Sequence, residues 1–167
     1  MFKKTISVFL FITVLFSFSS CSSELRSYET PLALDSKSDL LSYTNNKYSY
    51  TIGYPDIFTE SEDAPNGTTL SADGVLFIVW AKKNEDKLTL QESYEKALSQ
   101  YANTTDGGIG RITYEFHFSN SEKECGYYYA VLHKDNIYSF VITYPKDKSE
   151  EFEEYISQMI KSFLIKD

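Results

Sequence analysis

The chain has 167 residues, with 16 lysines and arginines against 24 aspartates and glutamates, so its formal net charge is −8. This acidity argues against nucleic acid as a partner, because phosphates repel a negatively charged surface. Aromatic residues make up 16% of the chain, which argues against disorder and predicts a well-filled core.

The N-terminal segment has the pattern of an export signal. A basic start (Lys3-Lys4) precedes an apolar run over residues 7–16, which is short for a bilayer-spanning helix. Phe18-Ser19-Ser20-Cys21 resembles the lipobox of bacterial lipoproteins. The resemblance implies that residues 1–20 are a signal peptide and that Cys21 carries a lipid that attaches the protein to the membrane. The alternatives are an uncleaved N-terminal membrane anchor and a secreted protein with an incidental cysteine.

The remainder of the chain divides into a tether and one domain. Removal of residues 1–20 takes away two lysines and no acid, so the formal charge becomes −10. Polar composition predicts a flexible tether over residues 21–45, which can include a short helix near residues 32–41. Residues 46–167 are predicted to form one globular domain. We expect this domain to be extracytoplasmic and anchored to the cell membrane by the lipid on Cys21.

The strands of the domain are predicted from polar–apolar alternation, and its helices from an apolar period of 3.6 residues. Asp73-Gly74 and Asp135-Asn136 are predicted turns of two hairpins. Thr89-Leu90-Gln91-Glu92 matches a capping box that starts a helix. The polar stretches 59–67 and 106–110 are predicted loops. In chain order, the predicted elements are a strand over 48–54, a hairpin over 68–72 and 75–82, a helix over 89–102, a strand over 111–118, a hairpin over 127–134 and 137–144, and a helix over 149–165.

The second hairpin predicts how the sheet is covered. A turn at Asp135-Asn136 would place Tyr129 opposite Ile142 and Val131 opposite Phe140, with Tyr128 on the other face. Both faces then carry apolar side chains and need cover. We therefore predict an α+β fold, an α-β-α sandwich with a central antiparallel sheet of about six strands and helices packed on its faces.

Two segments carry a resemblance to the PsbP-like family. They are residues 50–58 (Tyr-Thr-Ile-Gly-Tyr-Pro-Asp-Ile-Phe) and residues 136–140 (Asn-Ile-Tyr-Ser-Phe), the latter leading to a last helix that closes in residues 161–163 (Lys-Ser-Phe). The match covers about residues 46–166, and the family includes many bacterial lipoproteins. The resemblance implies the same α-β-α sandwich and a binding or assembly role, but no activity, because the matching residues pack the fold.

The sequence predicts no catalytic residues, no metal site and no cofactor. His117 and His133 have no serine, cysteine or carboxylate at the spacing of a catalytic triad. If Cys21 carries a lipid, Cys125 has no disulfide partner. The acidic residues of the 59–67 stretch lack the regular ligand spacing of a calcium loop.

Tyrosines provide the predicted binding surface. Tyr127, Tyr128 and Tyr129 are consecutive, so at least one of them points away from the more buried face, and Tyr138 and Tyr144 can join it. Tyrosine suits recognition because it offers a large rigid contact area with a polar tip. The alternative is that helices cover both faces and these tyrosines belong to the core.

These observations predict a non-enzymatic, lipid-anchored binding or assembly module that contacts an envelope protein. The alternative is a lipoprotein that binds a small ligand or a metal ion through tyrosines and acidic loop residues.

Overall fold

The computed structural model describes residues 40–166, which form ten strands and two helices. Cys21, the predicted signal peptide and the predicted tether up to residue 39 lie outside the described residues. A single 3₁₀ turn precedes the second helix. The elements are β1 (Leu40–Asn45), β2 (Tyr50–Pro55), β3 (Glu60–Ala64), β4 (Gly67–Ala72), β5 (Val75–Lys83), α1 (Leu90–Leu98), β6 (Thr105–Ile109), β7 (Thr113–Ser119), β8 (Glu124–His133), β9 (Asn136–Pro145), α2 (Ser149–Ser162) and β10 (Leu164–Ile165).

The strands form two antiparallel sheets. The large sheet has the order β3-β4-β5-β9-β8-β7-β6, and the small sheet has the order β1-β2-β10. The prediction of about six strands in the central sheet is therefore corrected to seven. The sequence pattern misses β3 and β6, which lie in the predicted loops 59–67 and 106–110. Every residue of these two edge strands is exposed, so neither strand shows polar–apolar alternation.

The small sheet contains residues from both ends of the described chain. Residues 40–45, which polarity assigns to the tether, form β1, so the domain begins earlier than residue 46. Residues 164–165, which periodicity assigns to the last helix, form β10. Both strands pair with β2, and α2 ends at Ser162 because the chain turns there into the sheet.

Backbone geometry confirms two local predictions. Asp73 and Gly74 form the turn of the β4–β5 hairpin, both with positive φ (41° and 77°), as a primed turn requires. Thr89 caps α1, with its side chain accepting a hydrogen bond from the Glu92 amide and the Glu92 side chain accepting one from the Thr89 amide. The helix ends at Leu98, four residues before its predicted end.

The predicted turn of the second hairpin is wrong by one residue. The turn lies at Lys134-Asp135, where Lys134 adopts a φ of 53°, and His133 pairs with Asn136. Tyr129 therefore lies opposite Phe140 rather than Ile142. The observed pairing differs from the predicted pairing by two residues. Because side chains alternate with a period of two, each residue of the hairpin still lies on the face predicted for it.

Both faces of the large sheet are buried, as predicted. The cluster on one face includes Ala97 of α1 together with Tyr114, Phe116 and Tyr128. The cluster on the other face is formed by side chains of the large sheet, of α2 and of the small sheet. Its buried members are Tyr50, Ile52, Leu70, Val75, Phe77, Val79, Ala81, Tyr127, Val131, Tyr138, Phe140, Ile142, Tyr144, Phe152, Ile156 and Met159. We call these the α1 face and the α2 face.

Candidate functional site

The five tyrosines singled out by the sequence do not form one exposed surface. Tyr127, Tyr128, Tyr138 and Tyr144 are buried, and Tyr129 is half-buried. Tyr128 lies on the α1 face, whereas the other four lie on the α2 face. The surface hypothesis is therefore wrong for the four buried side chains, which belong to the core because helices cover both faces.

These tyrosines stabilise the core because their rings pack against other aromatic rings and their hydroxyls form hydrogen bonds. Tyr144 stacks on Phe152 of α2, with ring centroids 4.7 Å apart and an interplanar angle of 4°. Tyr128 stacks on Phe116 at 4.9 Å, and its hydroxyl donates a 3.1 Å hydrogen bond to Oγ of Ser139. Burial raises the pKa of both Tyr128 and Tyr144 well above the ordinary value, so both are neutral at physiological pH.

A polar cluster lies at the margin of the α2 face. The hydroxyl of Tyr127 donates a 2.5 Å hydrogen bond to Oε2 of Glu115. Nδ1 of His117 lies 3.6 Å from Oε1 of Glu153, and the His117 ring meets the Tyr127 ring edge-on, with centroids 4.8 Å apart. We call Glu115, His117, Tyr127 and Glu153 the polar rim.

The position of the rim follows from strand alternation and from the placement of α2. In β7, the even-numbered residues are buried on the α1 face, so Glu115 and His117 point to the α2 face. Phe152 of α2 packs on Tyr144 of β9, which places the adjacent Glu153 within reach of β7. Glu115 and His117 remain half-buried, and the Glu153 carboxylate is exposed.

Carboxylates dominate the electrostatics of the rim. Burial, then the hydrogen bond and charge of Glu115, raise the pKa of Tyr127 far above its ordinary value. The Glu153 carboxylate contributes in the same direction to the pKa of Tyr127 and of Tyr144. Tyr127 is therefore a neutral donor at physiological pH, and the rim presents two carboxylates beside a half-exposed imidazole. Such an arrangement favours a cationic group.

The remaining candidates from the sequence are not brought together. His133 ends β8 at the hairpin turn, away from His117, which pairs with Tyr127. Cys125 lies on β8 between Ser119 and Tyr144. The acidic residues of the 59–67 stretch lie on β3, at the opposite edge of the large sheet. Among residues 40–166, no group of three or more histidine, cysteine or acidic side chains is arranged to hold a metal ion.

Sequence reasoning missed the two glutamates of the rim. Glu115 lies two residues from His117 in an alternating strand, so period-two spacing could have placed both on one face. Glu153 lies 36 positions after His117, and only the packing of α2 on the sheet brings it to the rim.

The rim continues into the exposed edge of the large sheet. β6 pairs with β7 so that Gly108 lies opposite Glu115 and Thr105 opposite His117. Its outer side has no strand partner among the described residues. Thr105 is exposed and shares the side of the sheet on which His117 lies, whereas Ile109, which pairs with Tyr114, points to the α1 face. The carboxylates of the rim therefore lie beside an open edge strand.

In the described part of the chain, neither helix has the length and apolar composition needed to cross a membrane.

Comparisons with known proteins support the fold. No protein-family model and no curated protein matches the sequence. The structure is similar to that of cyanobacterial PsbP (CyanoP) from Synechocystis sp. PCC 6803, with 11% identity and a TM-score of 0.55 over 80% of this chain and 99% of that chain. It is also similar to a mutant of the protein Mog1, with 12% identity and a TM-score of 0.50 over 78% of this chain and 97% of that chain.

A crystal structure from Bacteroides thetaiotaomicron VPI-5482 has 14% identity and a TM-score of 0.49, over 75% of this chain and 48% of that chain. The likeness to CyanoP and Mog1 shows a PsbP-like fold, and at these identities it shows the fold alone.

Proposed function

We propose that this protein is a non-enzymatic, lipid-anchored binding or assembly module outside the cytoplasm, and that it contacts an envelope protein through the polar rim. The proposed anchor is supported by the lipobox-like sequence that ends in Cys21. The proposed contact is supported by one observation above all, the gathering of Glu115, His117 and Glu153 beside the open edge of β6.

The chemistry of this region indicates the kind of contact it makes. The carboxylates of Glu115 and Glu153 attract a lysine or arginine of the partner and orient it. The exposed Ile109 pairs with Tyr114 and lies on the opposite side of the sheet, outside this contact. An interface of this composition gains its specificity and its association rate mainly from charge. The partner is therefore an envelope protein that presents a basic contact surface.

Site-specific photocrosslinking in the native host tests the contact. A photoreactive amino acid at position 105, opposite His117, probes the rim, and one at position 62, on the opposite edge of the same sheet, is the matched control. We expect a discrete crosslinked product from position 105 alone. The double substitution Glu115→Gln and Glu153→Gln should reduce that product by about fivefold, since each exposed charge contact contributes about 0.5 kcal/mol. Equal products from both positions, or a yield insensitive to the double substitution, would rule out this contact.

Mass spectrometry of the protein from its host tests the anchor separately. We expect the mature chain to begin at Cys21 and to carry the mass of acyl chains. The Cys21→Ala variant should lose that mass and leave the membrane fraction. A mature N-terminus elsewhere, or an unmodified Cys21, would show that the protein reaches its location by another route.

A further inference from the structure

The two sheets present four edge strands, and three of these have features that discourage pairing with another strand. β3 carries three acids among its five residues. β6 has an irregular register between Thr105 and Gly108, and Asp106 within it adopts a φ of 47°. β10 has only two residues. Charge, bulges and short length are the usual means by which proteins prevent edge-to-edge association.

β1 has none of these features. It pairs with β2 without a break, from Leu40 opposite Pro55 to Asn45 opposite Tyr50. Its six residues (Leu-Leu-Ser-Tyr-Thr-Asn) include no charge, no proline and no glycine. Leu41 is 45% exposed, and β1 has no second strand partner among the described residues. A regular, uncharged edge strand with an exposed apolar side chain is a site for strand pairing.

The C-terminal end of β1 is held by its neighbours. The Asn45 side chain is buried, and its Nδ2 donates hydrogen bonds to the Tyr43 hydroxyl (3.1 Å) and to the Pro65 carbonyl (3.4 Å). These contacts fix the strand on the domain and leave residues 40–44 as the part that can receive another strand.

We propose that the free edge of β1 pairs with β1 of a second copy of this chain. The protein is strongly acidic, so two copies repel each other wherever acids meet. Among the four edge strands of the described sheets, β1 alone has a regular register, six residues for pairing and no acidic residue. Antiparallel pairing of a strand with its own copy is isologous and therefore closes at two subunits.

Symmetry and side-chain packing select the register of this dimer. Opposite residues of an antiparallel pair point to the same side, and the two-fold axis is perpendicular to the joined sheet, so the core-facing sides of both copies coincide. Tyr43 packs on the core, and Leu41 lies on the same side. One residue of β1 therefore lies opposite its own copy. In the proposed dimer that residue is Ser42, because this register places the exposed Leu41 opposite Tyr43 of the second copy. The exposed Leu41 side chain thereby gains an apolar cross-strand neighbour.

Disulfide trapping of the full-length protein in its host cells tests this dimer. Directly opposite Cβ atoms lie about 4.5–5.5 Å apart in such a pair, which is close enough for a disulfide after a small adjustment. The Ser42→Cys substitution is compared with Ser61→Cys, another exposed serine on an edge strand, both combined with Cys125→Ser. We expect a reducible dimer from Ser42→Cys and none from Ser61→Cys or from Cys125→Ser alone.

A charge introduced into β1 provides a second test of the dimer. Leu41→Glu should reduce the Ser42→Cys dimer by about fivefold or more, because it adds two carboxylates to the joined edge of two acidic copies. Leu164→Glu is the matched control, since Leu164 is 52% exposed on the opposite edge of the small sheet, and it should leave the yield unchanged.

The proposed dimer is wrong if Ser42→Cys remains monomeric, as it would if the tether or another protein occupies β1. It is also wrong if Ser61→Cys gives as much dimer, or if Leu41→Glu has no effect. None of these outcomes bears on the contact proposed for the polar rim, which lies on the other sheet.

Discussion

The hydroxyl of Tyr127 donates a 2.5 Å hydrogen bond to Oε2 of Glu115, across neighbouring strands of the large sheet. The two residues are offset diagonally, because Tyr127 pairs with His117 and Glu115 pairs with Tyr129. The bond fixes a half-buried carboxylate at the margin of the core. The rim is therefore joined to the core by Tyr127.

Replacement of Tyr127 by phenylalanine should destabilise the domain by about 1–2 kcal/mol, because a hydrogen bond to a charged acceptor is lost while the ring packing is kept. The cost stays in this range because Glu115 is half-exposed and can bind water instead. Urea unfolding of Tyr127→Phe, Glu115→Ala and the double variant measures the coupling. Strictly additive effects of the two substitutions would contradict the hydrogen bond.

Buried tyrosines should make the domain sensitive to alkali. Burial is the main cause that raises the pKa of Tyr50, Tyr127, Tyr128 and Tyr144 above the ordinary value of 10.0. The unfolded chain ionises these tyrosines near pH 10, whereas the folded chain keeps them neutral. Their contribution to stability is therefore complete below about pH 10 and is lost as the pH rises further.

The urea midpoint should accordingly be steady between about pH 8 and 9 and fall steeply above about pH 10. Tyrosinate absorbance should show these four residues ionising together with unfolding. Complete ionisation near pH 10 in a domain that is still folded would contradict their burial.

Gly67 should tolerate no side chain. A Cβ at this position would lie 1.9 Å from the Val79 carbonyl oxygen and 2.8 Å from Cα of Trp80, both backbone atoms of the paired strand β5. Gly67→Ala should therefore cost about 2 kcal/mol or more, because the β4–β5 pairing has to move. Gly108→Ala is the control, since a Cβ there meets nothing within 4 Å, and its stability should stay within about 0.5 kcal/mol of the natural chain. Equal destabilisation of the two variants would contradict the close approach at Gly67.

The capping box of α1 should contribute measurably to stability. Thr89→Ala removes the oxygen that accepts the Glu92 amide and should cost about 1 kcal/mol. Hydrogen bonds from the backbone and the hydroxyl of Thr89 lower the pKa of Glu92, so its contribution is present above the ordinary pKa of 4.5 and is lost as the pH falls. The difference between the natural chain and Thr89→Ala, measured by thermal or urea unfolding, should therefore shrink in acid. A difference independent of pH would show that the Glu92 carboxylate accepts no hydrogen bond from the Thr89 hydroxyl.

The sequence by itself determined the features that depend on a few adjacent residues. Asp73-Gly74 specified its hairpin because positive φ at both positions is a local property of these residue types. Thr89 and Glu92 specified the start of α1 for the same reason. The period of two along β7, β8 and β9 predicted two apolar faces, and hence helices on both sides, even where the turn residue was misplaced.

Only the tertiary structure decided which segments become edges and which side chains meet. β3 and β6 are strands because a neighbour supplies their hydrogen bonds, and β1 and β10 join β2 from distant parts of the chain. His117 and Glu153 lie together because Phe152 of α2 packs on Tyr144 of β9, and packing on both faces of the large sheet buries four of the five tyrosines that the sequence assigns to a surface. Backbone pairing and long-range packing depend on the whole fold, so no local sequence pattern predicts them.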